Sequence, residues 1–451
     1  MVLLAIGAAF VLAAASSGCG PGGTAMSGNG SGGDGAGSGG SGPGGAATVT
    51  GSGGAGSGTG GGAGGGQSGA GGSSGGGGAT TYPPGGLGPW TGHDNVKMSS
   101  APPAGLPVNR VPQLVALTFD DLAYSGIEGS TGAGMIVDGG VQWASGDLIA
   151  NLANPAGSGN AGTYDGTPVR VSLFGSSIYV GIWESESPTF VKRAWHNAWA
   201  AGNELNNHTH NHPHGMAFSV EQWQTEITTC LDWLTKPFAA DEVNFDPKPT
   251  NGVGIPRDEI RGFRTPFLEW NDAVLTAVAS NGFWYDTSIE NGWDGDGTNF
   301  PWPYTLDNGS PGVVDRPVTP HPGLWELPVT PFIMPADIRA KAGTVCTDTA
   351  NGRVTGFDYN LWVSCSTTAA DFLATLKHTL DLRLQGNRAP MIVGAHPDYY
   401  TSKYTAPPSA MPAERRAALA SFLQYALGKP EVRVVTARQI LDWMRNPVPL
   451  N

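Results

Sequence analysis

The sequence predicts an α/β fold in which helices connect the strands of a parallel sheet. From residue 114 to residue 444, short apolar runs of strand length alternate with longer segments of helical periodicity. This alternation is the pattern of repeated strand–helix–strand units. Candidate reactive residues also stand directly after several of the apolar runs. Active sites of α/β barrels are built at the carboxyl ends of the strands, so this shared placement supports the same fold class.

The individual elements follow from apolar runs, helical periodicity and stop signals. The first strand, at 114–119, ends in Asp120 and Asp121, and a segment rich in Gly, Ser and Asn at 122–168 indicates a long insertion. Further strands are predicted at 169–174, 203–207, 259–263, 283–285, 390–394 and 432–435. Helices are predicted at 190–201, 220–234, 273–280, 369–384, 412–427 and 437–444, the last one opened by Thr436.

The first 88 residues lack the composition of a folded domain. Residues 2–12 form an apolar run typical of an export signal, and Ser16-Ser17-Gly18-Cys19 is similar to a bacterial lipobox. We therefore expect a signal peptide at 1–19 and either a cell-envelope lipoprotein anchored at Cys19 or a secreted protein. Residues 20–88 are mostly Gly, Ser, Ala and Thr, which cannot bury enough apolar surface to offset the entropy of ordering, and they are predicted to be a disordered linker. A single catalytic domain is expected at 105–447.

Charge and composition restrict the partners. The formal net charge of −13 disfavours a polyanion, and the chain has no basic run of the kind that binds nucleic acid. No second long apolar run is present, so membrane contact is expected only through a lipid anchor at Cys19. A neutral polymer is compatible with this charge, and some of the fourteen tryptophans suit the faces of sugar rings. The oligomeric state stays open.

Cysteine usage agrees with export. In an oxidising compartment Cys346 and Cys365 can pair, whereas Cys230 lies in a helical pattern and is expected to be a buried free thiol.

Two histidines and two carboxylates indicate a hydrolytic metal site. His208 and His212 are four residues apart, and Asp120 and Asp121 close the first strand. Catalytic zinc commonly takes three protein ligands from His, Asp and Glu, and it lowers the pKa of a bound water to about 7. A second carboxylate beside the metal can then accept the proton of that water.

Two other metal enzyme classes fit these residues less well. A mononuclear iron oxygenase also uses two His and one carboxylate, but it usually carries the carboxylate two residues after the first His, where this chain has His210. A zinc protease is disfavoured because residues 208–212 lack the glutamate of the His-Glu-x-x-His motif.

Five segments, taken together and in order, resemble the polysaccharide deacetylase family, also called the NodB homology domain or carbohydrate esterase family four. The segments are Thr118-Phe119-Asp120-Asp121, residues 202–213, Arg264-Thr265-Pro266-Phe267, Asp286-Thr287-Ser288, and His396 after an apolar strand. The match covers about residues 112–444, and residues 267–270 and 300–307 further resemble a chitin-deacetylase-like branch. The resemblance implies a distorted (β/α) barrel with seven strands.

The resemblance also implies a metal site and a base. Asp121, His208 and His212 would hold a divalent metal, with Zn²⁺ as the first choice and Co²⁺, Fe²⁺ and Mn²⁺ as alternatives. Asp120 would be the general base for the attacking water. Arg264 would keep Asp120 ionised and oriented through a charge-assisted hydrogen bond.

The remaining implied roles concern the leaving group and the oxyanion. His396 would be the general acid that protonates the leaving amine, and the backbone N–H of Phe267 would stabilise the tetrahedral oxyanion. Asp286 would orient His396 and raise its pKa, with Glu290 and Asp294 as alternatives for that role.

The chain departs from the family pattern at Gly394, two residues before His396, where the family often has a leucine that lines the acetyl pocket. Either this pocket is wider here, or another side chain such as Trp362 or Leu327 fills it. His210 and His214 are additional histidines to which the resemblance assigns no role.

The expected function is a metal-dependent hydrolase that removes N-acetyl groups from an N-acetylglucosamine polysaccharide. Chitin or its oligomers are the first substrate and peptidoglycan is the second. The alternatives are an O-acetyl esterase acting on xylan with the same fold and a non-catalytic, glycan-binding surface lipoprotein.

Overall fold

The structure is a computed structural model in which nine ranges of the chain are described. These are residues 90–130, 137–182, 185–240, 250–293, 297–310, 316, 318–342, 346 and 352–451. All of them belong to the compact unit Thr81–Asn451. The predicted signal peptide, lipobox and linker, as well as Asp294, lie outside the described residues. Within the described ranges, no helix has the length and apolar character needed to cross a membrane.

A row of seven parallel strands forms the centre of the fold. The longest strand, β1 (Gln113–Asp121), is buried along its first eight residues. Its neighbours in the row are β2 (Ser172–Gly175), β3 (Glu204–Asn207), β4 (Gly262–Phe263), β5 (Tyr285–Asp286), β7 (Trp325–Glu326) and β10 (Met391–Ala395). The order is β10-β1-β2-β3-β4-β5-β7. A short antiparallel strand, β6 (Tyr304–Thr305), lies beyond β7, and β11 (Val432–Val434) pairs with the start of β1.

Further backbone contacts lead from β7 back towards β10. The segment after β7 bridges the segment after β5 at Val329 and Glu290. It then enters β8 (Phe332–Ile333), which pairs with β9 (Arg353–Val354). Phe357, just after β9, bridges Gly394 of β10. These contacts curl the sheet, and the predicted distorted α/β barrel is confirmed.

Helices fill the connections between strands. They are α1 (Gly140–Gln142), α2 (Ile178–Gly181), α3 (Pro188–Ala200), α4 (Val220–Thr235), α5 (Asp272–Ser280), α6 (Ala336–Ala342), α7 (Ala369–Gln385), α8 (Pro412–Leu427) and α9 (Ala437–Arg445). The six predicted helices coincide with α3, α4, α5, α7, α8 and α9. Reciprocal capping by Ser219 and Gln222 opens α4, and Thr436 with Gln439 opens α9.

Alternation along β1 places the candidate site. Val115, Leu117 and Phe119 belong to the larger apolar cluster, and Leu114 and Ala116 belong to the smaller one. Since side chains alternate across a strand, Thr118 and Asp120 continue the face of Leu114 and Ala116. Asp120, near the end of β1, therefore faces the space enclosed by the curled sheet.

Cys346 and Cys365 form a disulfide across nineteen positions of sequence, and Cys230 is a buried free thiol. Cys365 directly follows the helical turn Asn360–Ser364.

Candidate metal centre and active site

Three ligand atoms meet at the carboxyl ends of β1 and β3. Asp121 is the last residue of β1, and His208 comes directly after β3. The Oδ1 atom of Asp121 lies 3.5 Å from Nε2 of His208 and 3.0 Å from Nε2 of His212. The three residues form a cluster whose ligand atoms all lie within 4.8 Å of one another. The structure thus brings together the three predicted metal ligands.

Unusual backbone conformations aim these side chains. Asp121, Thr209 and His212 have positive φ angles of 70°, 70° and 52°. Such left-handed conformations are uncommon for residues with a side chain, and they concentrate at functional sites. The turn from His208 to His212 is tight enough for the N–H of His212 to reach Oγ1 of Thr209 at 3.2 Å.

Glu226 on α4 fixes the same turn from behind. Its Oε2 accepts hydrogen bonds from the backbone N–H groups of His210 at 3.0 Å and Asn211 at 2.8 Å. Its Oε1 accepts a third hydrogen bond, from Nδ2 of Asn211. His210 itself contacts Ser177, with 2.8 Å between Nδ1 and Oγ. His210 and Glu226 therefore support the turn between the two ligand histidines.

A backbone carbonyl sets the tautomer of His208. Nδ1 of the buried His208 lies 2.9 Å from the carbonyl oxygen of Arg264. A carbonyl can only accept, so Nδ1 carries the hydrogen and Nε2 is the ring nitrogen that faces the ligand cluster. Such a partner on the far nitrogen is the usual support of a metal-binding histidine.

The donor set fits a divalent cation. Oδ1 of Asp121 is buried and accepts no aligned hydrogen bond from any described residue, although two imidazole nitrogens approach it. Burial raises the pKa of Asp121, but the charge of His212 and the contacts with His208 and His212 outweigh burial and hold this pKa well below its usual range. An ionised carboxylate between two imidazoles is a ligand set typical of zinc and related ions.

Arg264 holds the second carboxylate of the pair. It lies directly after β4 and is fully buried. Its Nη1 donates to Oδ1 of Asp120 at 2.7 Å and to Oγ1 of Thr118 at 3.0 Å, and its Nε donates to the carbonyl of Thr287 at 3.0 Å. The other carboxylate oxygen of Asp120 lies 3.9 Å from Nε2 of His208. Arg264 thus orients the carboxylate of Asp120 beside the ligand cluster.

Asp358, which the sequence analysis missed, holds His396. Its Oδ1 lies 2.7 Å from Nδ1 of His396, and its Oδ2 accepts the backbone N–H of His396 at 3.0 Å. The prediction that Asp286 orients His396 is wrong. Glu290, one alternative, instead accepts a hydrogen bond from Oγ1 of Thr355 at 2.7 Å.

Asp286 supports the Arg264 segment instead. Its carboxylate accepts hydrogen bonds from the N–H and Oγ–H of Ser288 at 2.9 and 2.8 Å, and Oγ of Ser288 accepts the N–H of Thr265. Burial raises the pKa of Asp286 to about 6. Burial and the adjacent Asp286 raise the pKa of Glu326 well above its usual range.

His396 is held as an imidazolium. Burial alone lowers its pKa, but the charge of Asp358 and the hydrogen bond to it raise the pKa to about 10, with smaller contributions from Asp121 and Asp120. Because Asp358 occupies Nδ1, the proton available for transfer is on Nε2. The ring can therefore donate a proton at neutral pH.

No protein family model matches the chain. The sequence is similar to that of chitin deacetylase 8 from Bombyx mori, with 24% identity over 204 residues. The match covers 44% of this chain and 47% of that protein, so it spans about half the length of the relative. The chain resembles the polysaccharide deacetylases of carbohydrate esterase family four. The resemblance inferred from the five segments is thus confirmed.

Solved structures of this polysaccharide deacetylase type are also similar to the chain. A protein from Mycobacterium smegmatis assigned as a polysaccharide deacetylase is 18% identical, with 77% of this chain and 95% of that chain covered and a TM-score of 0.42. A family 4 carbohydrate esterase from Streptomyces lividans in complex with acetate is 15% identical, with coverage of 70% and 89% and a TM-score of 0.31.

Aromatic side chains border the deacetylase-like site on two sides. Phe267 is 53% exposed, and its ring centroid lies 4.5 Å from that of His212. On the other side, the ring of Tyr399 lies 5.1 Å from that of His396 and 6.3 Å from the ring of Tyr359, which is 45% exposed. No motif signals Tyr359 or Tyr399 in the sequence, because their position depends on the fold.

His214, left without a role by the motifs, belongs to the first of these aromatic sides. Its ring stacks on that of Phe267 with 4.0 Å between centroids, and its Nδ1 lies 3.1 Å from Oε1 of Glu269.

Phe357 occupies the space next to Gly394. A Cβ atom at position 394 would come within 2.6 Å of the Phe357 ring. The two side chains proposed from the sequence for this space lie elsewhere. Trp362 stacks on Phe372, and Leu327 belongs to the smaller apolar cluster. Phe357 therefore replaces them as the side chain that fills this position.

Proposed function

We propose that this protein is a metal-dependent deacetylase that removes N-acetyl groups from polymers of N-acetylglucosamine, with chitin or its oligomers as first substrate and peptidoglycan as second. One observation carries the proposal: the carboxylate of Asp120, the imidazole of His396 bound to Asp358, and an Asp-His-His ligand set lie together at the carboxyl ends of neighbouring strands. Amide hydrolysis needs all three functions, because water is a weak nucleophile and an amine is a poor leaving group.

Asp121, His208 and His212 would hold the metal. A divalent ion bound there supplies Lewis acidity, which polarises the amide carbonyl and lowers the pKa of a water to about 7. The side chain of Asp120 would accept the proton of the attacking water, and Arg264 orients that carboxylate through a charge-assisted hydrogen bond.

His396 completes the reaction. As the oxygen of water bonds to the amide carbon and the carbon–nitrogen bond breaks, Nε2 of His396 delivers a proton to the leaving nitrogen. The products are acetate and the free amine of the sugar. Asp358 keeps the proton on His396 until that step. The N–H of Phe267, in the turn Pro266–Leu268 beside His212, is assigned to the oxyanion.

The surroundings of the site favour a saccharide. Aromatic rings are well suited to the apolar faces of sugar rings. The exposed ring of Phe267 lies beside His212, and the exposed ring of Tyr359 lies near Tyr399, which contacts His396. The net charge of −13 also favours a neutral polymer over a polyanion.

We also propose that the chain is exported and held at the cell envelope through Cys19. The disulfide between Cys346 and Cys365 supports an oxidising compartment. Metabolic labelling with a radioactive fatty acid would test the anchor. Label should appear on the wild-type chain and be absent from Cys19→Ala.

Acetate release by the full chain loaded with zinc tests the proposed activity. We expect release from chitooligosaccharides and less from peptidoglycan. Asp120→Asn should bind zinc like the wild type but release acetate about 1,000-fold more slowly, since a general base contributes about 10²–10⁴-fold. Release only from acetylated xylan would identify an O-acetyl esterase, and glycan binding without release from any substrate would identify a binding protein.

A further inference from the structure

We infer that Gly394 and Phe357 are a pair of positioning residues: the missing side chain at 394 admits the Phe357 ring, which holds Arg264 against Asp120. The inference rests on the proposed function in one respect, that Asp120 acts as the base.

The backbone of position 394 does not require glycine. Gly394 lies inside β10, pairs with Thr118 of β1, and is absent from the residues with positive φ. What excludes a side chain is Phe357. An added Cβ would lie 2.6 Å from two atoms of that ring and 2.7 Å from its Cγ, closer than real Cβ atoms approach a neighbour. Glycine is therefore needed here for space.

The ring of Phe357 cannot move away freely. The N–H of Gly394 donates to the carbonyl of Gly356 at 2.9 Å, which ties the segment before Phe357 to β10. Phe357 is 6% exposed, and its other neighbour, Asp358, is bound to His396 by two hydrogen bonds. A side chain at 394 would therefore push the ring into the interior of the site.

That interior contains the guanidinium of Arg264. Its central carbon lies 5.0 Å from the centroid of Phe357 and 4.4 Å from that of Phe174. Phe174 is on β2, opposite Asp120, whereas Phe357 bridges β10. Since β2 and β10 both pair with Thr118 and Phe119 of β1, they flank β1 on opposite sides. Arg264 thus contacts one ring from each side.

The two ring contacts restrict the tilt of the Arg264 guanidinium, which its hydrogen bonds alone leave free. The N–H groups of Arg264 bind Asp120, Thr118 and Thr287, which sets the reach of the side chain. Aromatic faces attract a desolvated guanidinium and restrict its tilt. A small tilt would move Nη1 away from Asp120, and a misplacement of about 1 Å can reduce a rate about 100-fold. Phe357 therefore keeps the carboxylate of Asp120 in its productive orientation.

Gly394→Ala tests this pair, with Gly146→Ala as the matched control, since a Cβ at Gly146 meets no atom within 4 Å. For Gly394→Ala in the full chain loaded with zinc, we expect kcat to fall about tenfold or more, with KM and zinc affinity close to wild type. Gly146→Ala should match the wild type in all three.

The double variant Gly394→Ala/Phe357→Leu distinguishes displacement of the Phe357 ring from a general disruption of the fold by the new Cβ. Leucine leaves room for the new Cβ, so kcat should recover to within about threefold of Phe357→Leu alone, a non-additive result expected of residues in contact. Full kcat in Gly394→Ala, or a double variant as poor as the product of the single effects, would overturn the inference.

Unfolding temperatures of the same variants test the contact between Gly394 and Phe357 without relying on deacetylase activity. Gly394→Ala should lower the midpoint and Phe357→Leu should restore it in the double variant. A wild-type chain without deacetylase activity would contradict the proposed function, whereas additive midpoints would contradict the pairing itself.

Discussion

Asp358 binds His396 twice, through Nδ1 at 2.7 Å and through the backbone N–H at 3.0 Å. The two residues are 38 positions apart, and the contact joins the segment after β9 to the end of β10. This carboxylate is the main reason that the pKa of His396 rises to about 10 although burial alone would lower it. The state of the proposed acid thus depends on Asp358.

Asp358→Asn should lower the pKa of His396 and weaken the acid. Removing a charge at hydrogen-bond distance shifts a pKa by about 1–3 units. The acid must be protonated to act, so the alkaline limb of the pH–activity profile should move to lower pH by at least about one unit. A profile of kcat against pH measures this shift.

Asp286→Asn is the discriminating control. Asp286 contacts Ser288 and not His396, so this variant should keep the alkaline limb in place. An unchanged limb in Asp358→Asn together with a shifted limb in Asp286→Asn would show that the contact with Asp358 is unimportant for the acid.

The free energy of unfolding should depend on pH through the same protonation of His396. Because the pKa of His396 is raised from 6.5 to about 10 by folding, its contribution is fully present below about pH 6.5 and is lost as pH rises through 10. The stability difference between wild type and Asp358→Asn in urea titrations should accordingly be larger at pH 6 than at pH 10.

Glu226→Ala should weaken metal binding without touching a ligand. The substitution leaves the N–H groups of His210 and Asn211 without their acceptor and loosens the turn between His208 and His212. Loss of such outer support typically costs about 10–100-fold in metal affinity. Competition with a zinc chelator measures the affinity. Glu221→Ala, an exposed change on the same helix, should have the wild-type value; equal affinities for all three would contradict the support role.

Zinc should stabilise the folded chain through Asp121. A ligand that binds only the native state at 100 times its Kd adds about 2.7 kcal/mol, which corresponds to a rise of several degrees in the unfolding midpoint. Calorimetry with and without a chelator should show this rise in the wild type. Asp121→Asn should lose it, and an undiminished rise in that variant would place the ion elsewhere.

The disulfide should contribute measurably to stability. It closes a loop of nineteen positions, for which the loss of unfolded-state entropy predicts about 3 kcal/mol. Chemical denaturation of Cys346→Ser/Cys365→Ser beside the wild type gives the difference. Cys230→Ser serves as a control for thiol removal, and a double variant as stable as the wild type would show that the bond does not constrain the fold.

The effect of removing Phe267 or Tyr359 on KM should depend on the chain length of the substrate. Phe267→Ala and Tyr359→Ala each remove an exposed ring next to the reacting groups. We expect KM for long chitooligosaccharides to rise about tenfold, since an aromatic contact is worth about 1 kcal/mol or more. Activity towards a small aryl acetate should change little in Tyr359→Ala. Equal losses on both substrates would argue against a sugar contact.

The long helices and strands and the metal ligands could be predicted from the sequence for a physical reason. The run ending in Asp120 and Asp121 forms a nine-residue strand, long enough to show its pattern without tertiary information. The carboxyl ends of parallel strands meet at one edge, so residues just after such runs, including His208, come together in space.

The residues that support the site, such as Asp358, could not be predicted from the sequence in the same way. Asp358 follows a two-residue strand and stands in no motif, so only the curled sheet brings it to His396. Asp286 lies after a predicted strand like the reactive residues do, yet its partners turn it towards Ser288 and Glu326. The strands β4 to β9 have two residues each, too short for any periodicity to define them.

Zinc titration of the metal-free full chain tests the central claim most directly, with acetate release from a chitooligosaccharide as the readout. We predict that activity rises linearly to a plateau at one equivalent of zinc in the wild type and stays at background in Asp121→Asn, whose other residues are unchanged. Activity in the metal-free wild type, or equal activity in both chains at one equivalent, would contradict a catalytic metal held by Asp121, His208 and His212.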